Sequence, residues 1–200
     1  MNFDLPGADL ALDQTFLSKT DADQFFEIFK QLPFGQGQVN VAGREVNENR
    51  LTCFFGDKNG AHYSYAGKQN YVREWTPDLL RLKELVEDAS GDEFNSCLIN
   101  YYADGSKNIG WHSDSEKDLI PDHYIASVSL GAERYFDIKP REKPKDEAAK
   151  TQKQIRLELK HGSLLLMGGD MQKNYLHTVP IQKKVKGARI NITFRHAKLG

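Results

Sequence analysis

The sequence predicts a mainly β domain with helices packed outside it, an α+β fold built as a sandwich or barrel. Three observations carry that expectation. Beyond Gly91 the chain is a succession of short apolar runs punctuated by glycine and proline. Before Gly91 two stretches have helical period. The length, 200 residues with 39% hydrophobic content, suits one domain with one sizeable core.

Taken in order, residues 1 to 17 read as an irregular lead-in, because Pro6 and Gly7 discourage regular structure. A helix starts near Thr20 and Asp21, with Ala22, Phe25, Phe26, Phe29 and Leu32 at helical spacing and Pro33 closing it. Short strands follow at Gln38–Val41, Leu51–Phe55 and His62–Tyr65. Thr76 caps a second helix, Pro77 suits its first turn, Leu79, Leu82, Leu85, Val86 and Ala89 form its stripe, and Gly91 ends it. Strands are then expected at Asn95–Tyr102, Gly110–Ser113, Ile125–Leu130, Tyr135–Ile138, Ile155–Leu159, Ser163–Met167 and Ala188–Arg195. The charged stretch from Lys139 to Lys153 reads as a solvated hairpin loop.

Composition sets outer bounds on function. Net charge is −1, which gives no nucleic-acid or membrane footprint while leaving room for a local basic surface. Cys53 and Cys97 lie in apolar contexts and read as reduced structural thiols. No apolar run has the length of a membrane span, and the amino terminus lacks the pattern of a signal peptide. A cytoplasmic protein is expected, nuclear in a eukaryote, without membrane association and monomeric.

The chemistry centres on Trp111-His112-Ser113-Asp114. In an extended strand His112 and Asp114 leave the same face, so one imidazole and one carboxylate can share a metal. His177 is the best distant candidate for a third ligand. Two histidines and a carboxylate make the facial triad of non-heme Fe(II) oxygenases, and the same set also satisfies Zn(II), so a zinc hydrolase stands as the rival of a different class. In the last strand Arg189, Asn191, Thr193 and Arg195 alternate with Ile190, Ile192 and Phe194. Their two guanidiniums, about 20 Å apart at the backbone, can lean together onto a short dicarboxylate. Asn100 and Tyr102 share a face and offer an amide and a phenol to a carboxylate. Arg50 and Arg73 could touch phosphates, but as surface arginines they do not mark a site.

These pieces resemble, in order, the AlkB family of Fe(II)- and 2-oxoglutarate-dependent nucleic-acid dealkylases. The resemblance runs from about Leu51 to Arg195. It rests on Asn100-x-Tyr102, Trp111-His112-x-Asp114-x-Glu116, Ser127–Ala132, Gly162–Met167, His177-x-Val179-Pro180 and Arg189-x-Asn191-x-Thr193-Phe194-Arg195. It implies a double-stranded β-helix, or jelly roll, whose core spans about 95–196, preceded by a nucleotide-recognition segment at about 35–71 in a single domain. It implies iron on His112, Asp114 and His177, and 2-oxoglutarate on Asn100, Tyr102, Arg189, Asn191 and Arg195, with dioxygen as the second cosubstrate. The expected activity is removal of N-methyl groups from bases of the 1-methyladenine and 3-methylcytosine type, with formaldehyde, succinate and CO2 released. The same resemblance places the base against Tyr63, Tyr65, Glu116 and His112. One departure bears on the substrate. The hairpin Val39–Gly43 carries Ala42 where duplex-specialised relatives carry a bulky apolar wedge, so alkylated single-stranded DNA is the expected partner, with RNA or a protein side chain as alternatives.

Overall fold

The computed structural model describes residues 1–41, 44–58, 62–65, 68–115 and 117–199, without the side chains of 39–41, 62–65 and 68–70. The chain opens with β1 (Asn2–Leu5) and β2 (Ala8–Asp13), followed by α1 (Lys19–Phe29). Next come β3 (Gly35–Val41), β4 (Arg44–Gly56), β5 (His62–Tyr65), β6 (Lys68–Arg73) and α2 (Pro77–Ser90). After them run β7 (Ser96–Tyr102), β8 (Ile109–His112), β9 (Ile125–Gly131), β10 (Arg134–Pro140) and β11 (Ile155–Leu159). The chain ends with β12 (Ser163–Gly169), the short α3 (Met171–Asn174), β13 (Tyr175–Val179) and β14 (Arg189–Arg195). Among the described residues no helix is long and apolar enough to cross a membrane.

Among the described residues the strands form two sheets. The larger has the order β1-β2-β12-β9-β14-β7-β4-β6-β5, with β3 paired to β4; the smaller has the order β11-β10-β13-β8. Strand alternation divides the larger sheet into two differently used faces. One face sends Ile190, Ile192, Phe194, Val128, Leu130, Ile99 and Cys97 toward α1 and α2, whose Phe25, Phe29, Leu79, Leu82 and Val86 complete that core. The other faces the smaller sheet, where Leu165, Met167, Leu10 and Leu12 meet Phe136, Ile138, Leu157 and Val179. This is the two-sheet jelly roll with outer helices that the resemblance implied.

Several expectations change. The amino-terminal segment is no irregular lead-in. Gly7 takes φ +69° at the turn of a hairpin, and β2 then pairs antiparallel with β12 from Leu164↔Asp13 to Gly169↔Ala8. Pro6 and Gly7 break the strand because they turn it. In α1 the cap is Ser18, whose hydroxyl accepts the Asp21 N–H at 3.1 Å. In α2 the cap and end are as expected, Thr76 accepting from Leu79 and Gly91 closing at φ +68°, but Leu85 and Ala89 face solvent. The α2 stripe narrows to Leu79, Leu82 and Val86 because the helix covers one flat sheet face. Strands β6 and β13 are additional to those expected, and β4 is longer.

Both cysteines are buried and free, as expected. The stretch after β10 forms the β10–β11 connection, with a single 3-10 turn at Glu147–Thr151 that buries Ala149. Two of the other histidines have structural partners. His161 accepts the Gly131 N–H at 2.8 Å, and His123 lies 2.7 Å from Asp92.

Candidate metal and cosubstrate site

The inter-sheet space holds the candidate site. On β14 the side chains opposite the apolar face are Arg189, Asn191, Thr193 and Arg195, and all four are buried. They do not form a solvated edge, because β14 lies between β7 and β9 in the middle of the larger sheet. Register aligns their neighbours: Tyr102 opposes Arg189, Asn100 opposes Asn191, and on the other side Ser129 opposes Asn191 and Ser127 opposes Thr193. A polar stripe across three central strands follows from period-two alternation alone.

His112, Asp114 and His177 converge at one edge of this space. Their ligand atoms lie within 4.8 Å of one another, and they are the one such group of three among the described residues. His112 ends β8 and His177 lies opposite it in β13, with ring centroids 4.3 Å apart. Asp114 is not in the strand, as the extended reading of the pair required; β8 stops at His112 and the next residues are irregular. The two side chains still meet, with His112 Nε2 3.7 Å from Asp114 Oδ1.

Protonation states suit a cation. His112 Nδ1 lies 2.8 Å from the Gly110 carbonyl, which can only accept, so Nδ1 carries the proton and Nε2 presents a lone pair. Burial lowers the His112 pKa against the pull of Asp114. Burial and the neighbouring His112 push His177 down to about 3, so its ring is neutral, and its Nδ1 is buried without a hydrogen-bond partner among the described residues. The Phe136 ring stacks on His177 at 5.0 Å and fixes its plane. Burial raises the Asp114 carboxyl, but Arg195 and the two histidines outweigh it and hold the group at about 2. Two neutral imidazoles and one carboxylate fit a divalent iron with positions left for other ligands.

The two arginines of β14 meet different protein partners. Arg195 Nη2 lies 3.1 Å from Asp114 Oδ2, so it orients the carboxylate of the metal triad. Arg189 sits at the far end of the stripe. It is 1% exposed, donates from Nη2 to Ser129 Oγ at 2.9 Å, and lies over the Tyr102 ring at 5.4 Å. Its Nε and Nη1 have no hydrogen-bond partner among the described residues, and burial lowers its pKa to about 10. A buried guanidinium with two donors unused fits a bound carboxylate.

Between these ends the amides are held by the protein itself. Asn191 donates to Ser127 Oγ at 2.7 Å and accepts from Thr193 Oγ1 at 3.2 Å and from Asn100 Nδ2 at 3.4 Å. Arg50 is buried rather than superficial. Its Nε donates to Asn100 Oδ1 at 2.6 Å and its Nη2 pairs with Glu48 at 2.8 Å. Because Thr52 opposes Asn100, Arg50 two residues earlier shares the inward face, a signal present in strand parity.

Gln172 had no such signal. It lies in α3 and accepts the Asp114 N–H on Oε1 at 2.9 Å. Of the residues expected to meet a base, Tyr63 and Tyr65 belong to β5 by their backbones, while their side chains, Glu116 and the Ala42 wedge position lie outside the described residues.

Comparison with known proteins gives the family. Residues 9–195 match the family described as the 2OG-Fe(II) oxygenase superfamily. The mouse protein named DNA oxidative demethylase ALKBH2 is 36% identical over 191 residues, covering 93% of this chain and 80% of that one. Its human counterpart is 36% identical over 181 residues, 88% of this chain and 69% of that one. A bovine alpha-ketoglutarate-dependent dioxygenase alkB homolog 3 is 33% identical over 182 residues, 90% and 63%. The crystal structure of an oxidoreductase of the 2OG-Fe(II) oxygenase family from Burkholderia pseudomallei superposes with a TM-score of 0.58 at 14% identity, covering 97% of this chain and 89% of that one. At that identity the likeness concerns the fold.

Proposed function

This chain belongs to the 2OG-Fe(II) oxygenase superfamily and, within it, to the AlkB family, and from that premise we propose that it oxidatively demethylates N-alkylated bases in DNA. Its cosubstrates are 2-oxoglutarate and dioxygen, and its metal is Fe(II). The observation that carries the reading is the conjunction of the His112, Asp114 and His177 group with the unsatisfied, buried Arg189 in one inter-sheet space.

In this reading His112, Asp114 and His177 hold the iron. Arg189, with Tyr102 beneath it, takes the distal carboxylate of 2-oxoglutarate, and Arg195 keeps the Asp114 carboxylate ionised and oriented. Asn100 and Asn191 line the path between, fixed by Arg50 and by Ser127 and Thr193. When bound, the iron and its cosubstrates supply the oxidation that places an oxygen on the N-methyl carbon, with 2-oxoglutarate leaving as succinate and CO2. The resulting N-hydroxymethyl group breaks its C–N bond, giving formaldehyde and the N–H of the restored base. The protein's part is to bind, orient and exclude water. A buried wall of aliphatic and aromatic side chains in the inter-sheet space serves the last of these. Arg189 has no task in a zinc hydrolase, and family membership favours the oxygenase.

The base is assigned to Tyr63, Tyr65 and Glu116 beside His112. Any enzyme acting on a base must take it from single strands or flip it from a duplex, then stack it on aromatics. Ala42 offers only a methyl group where a wedge would be needed to fill the gap left by a flipped base. The substrate is therefore assigned as single-stranded alkylated DNA, with the enzyme acting as a monomer. Competition among matched methylated DNA, RNA and peptide substrates, read as formaldehyde, tests this. Single-stranded DNA carrying 1-methyladenine is expected to turn over fastest; faster duplex repair would overturn the strand preference, and preferred peptide turnover would overturn the nucleic-acid reading.

A further inference from the structure

Asp114 poses a structural problem. It lies beyond the end of β8, so no ladder hydrogen bond fixes its backbone, yet its carboxylate must meet two imidazoles carried by β8 and β13. The Asp114 N–H is held by one side chain, Gln172, at 2.9 Å. Gln172 is in turn fixed from two directions. Its backbone carbonyl accepts from Arg141 Nη1 at 2.9 Å, and its amide nitrogen faces Met167 Sδ at 3.8 Å. It sits five residues before His177, in the α3 turn that delivers the chain into β13.

We propose that Gln172 is a positioning residue of the metal centre, a side-chain strut that sets Asp114 from the segment carrying His177. Through it two ligands from distant parts of the sequence are placed relative to one another without a shared strand. Arg195 aims the Asp114 carboxylate from the larger sheet, and Gln172 sets the backbone from which that carboxylate projects. Supports of this kind around a metal site change metal affinity by about 10–100-fold when removed. The proposal rests on the iron site assigned above, but not on the identity of the substrate.

The test compares Gln172→Met, which keeps length and loses the acceptor oxygen, with Gln172→Glu, which keeps an acceptor. Mn(II) binding to the full chain in the absence of 2-oxoglutarate is measured by electron paramagnetic resonance, and thermal unfolding of the metal-free proteins alongside it. Gln172→Met should weaken Mn(II) binding by 10-fold or more. Gln172→Glu should stay within about threefold, a difference that a role in packing alone would not produce. Unchanged Mn(II) affinity in Gln172→Met would overturn the proposal, as would equal weakening in both variants with equal loss of thermal stability. Absence of Mn(II) binding by the unaltered protein would overturn the metal centre itself and this proposal with it. Formaldehyde release does not enter the experiment, so failure of the DNA reading would register separately.

Discussion

Burial of the Arg189 guanidinium carries a cost that a bound dicarboxylate offsets. The group is buried with two unused donors, held by one serine and one aromatic face. A charge-assisted hydrogen bond contributes about 1.5–3 kcal/mol, and each 1.4 kcal/mol is about tenfold in affinity. Arg189→Met should therefore weaken 2-oxoglutarate binding about 10–100-fold while leaving Mn(II) affinity unchanged, both read by calorimetry. The metal-free variant should be no less stable than the parent, because removing an uncompensated buried charge relieves a cost. Normal 2-oxoglutarate affinity in Arg189→Met would remove this residue from the site. The sequence made His112, Asp114, His177 and Arg189 legible because their chemistry is confined to few residue types. For Arg195, alternation reports the face its side chain takes and not the protein partner, Asp114, that it meets there. Arg50 was recoverable from strand parity. Gln172 was not, because nothing in a four-residue turn announces a contact with a residue so far away in the chain.

At the scale of elements, the amino-terminal hairpin is the largest surprise. Alternating apolar residues in β2 were masked by Pro6 and Gly7, which look like breakers of structure when read without the strand they turn toward. Leu10 is 1% exposed and opposes Met167 in β12, closing the inter-sheet core at that side. Leu10→Ala should cost about 3 kcal/mol in denaturant unfolding, within the usual range for a truncated buried leucine. A loss below about 1 kcal/mol would mean that β2 covers the sheet without belonging to its core. The two helices were legible because Ser, Thr, Pro and Gly mark their ends chemically. The stripe of α2 was overdrawn, since apolar residues at helical spacing do not report how wide a surface the helix has to cover. The extra strands β6 and β13 escaped notice because polar residues interrupt their alternation.

At the scale of the molecule, the jelly roll places a polar stripe beside the apolar inter-sheet core and seats the candidate metal ligands at the edge of it. No single stretch of sequence states this. Three strands contribute the stripe, two others contribute the histidines, and their union depends on a strand order that runs far from chain order. Overall composition was silent about the substrate. A net charge of −1 hides whatever local surface meets a nucleic acid, so the substrate is read from the site and from the family rather than from bulk electrostatics.

The central claim, that this architecture couples 2-oxoglutarate oxidation to removal of an N-methyl group, is open to one direct measurement. The protein is loaded anaerobically with Fe(II) and one equivalent of 2-oxoglutarate, given a single-stranded oligonucleotide carrying one 1-methyladenine, and then exposed to air. Succinate and formaldehyde should appear together in equal amounts, and His112→Ala should yield neither. Release of the methyl group without succinate, or its release in the absence of 2-oxoglutarate, would contradict the account.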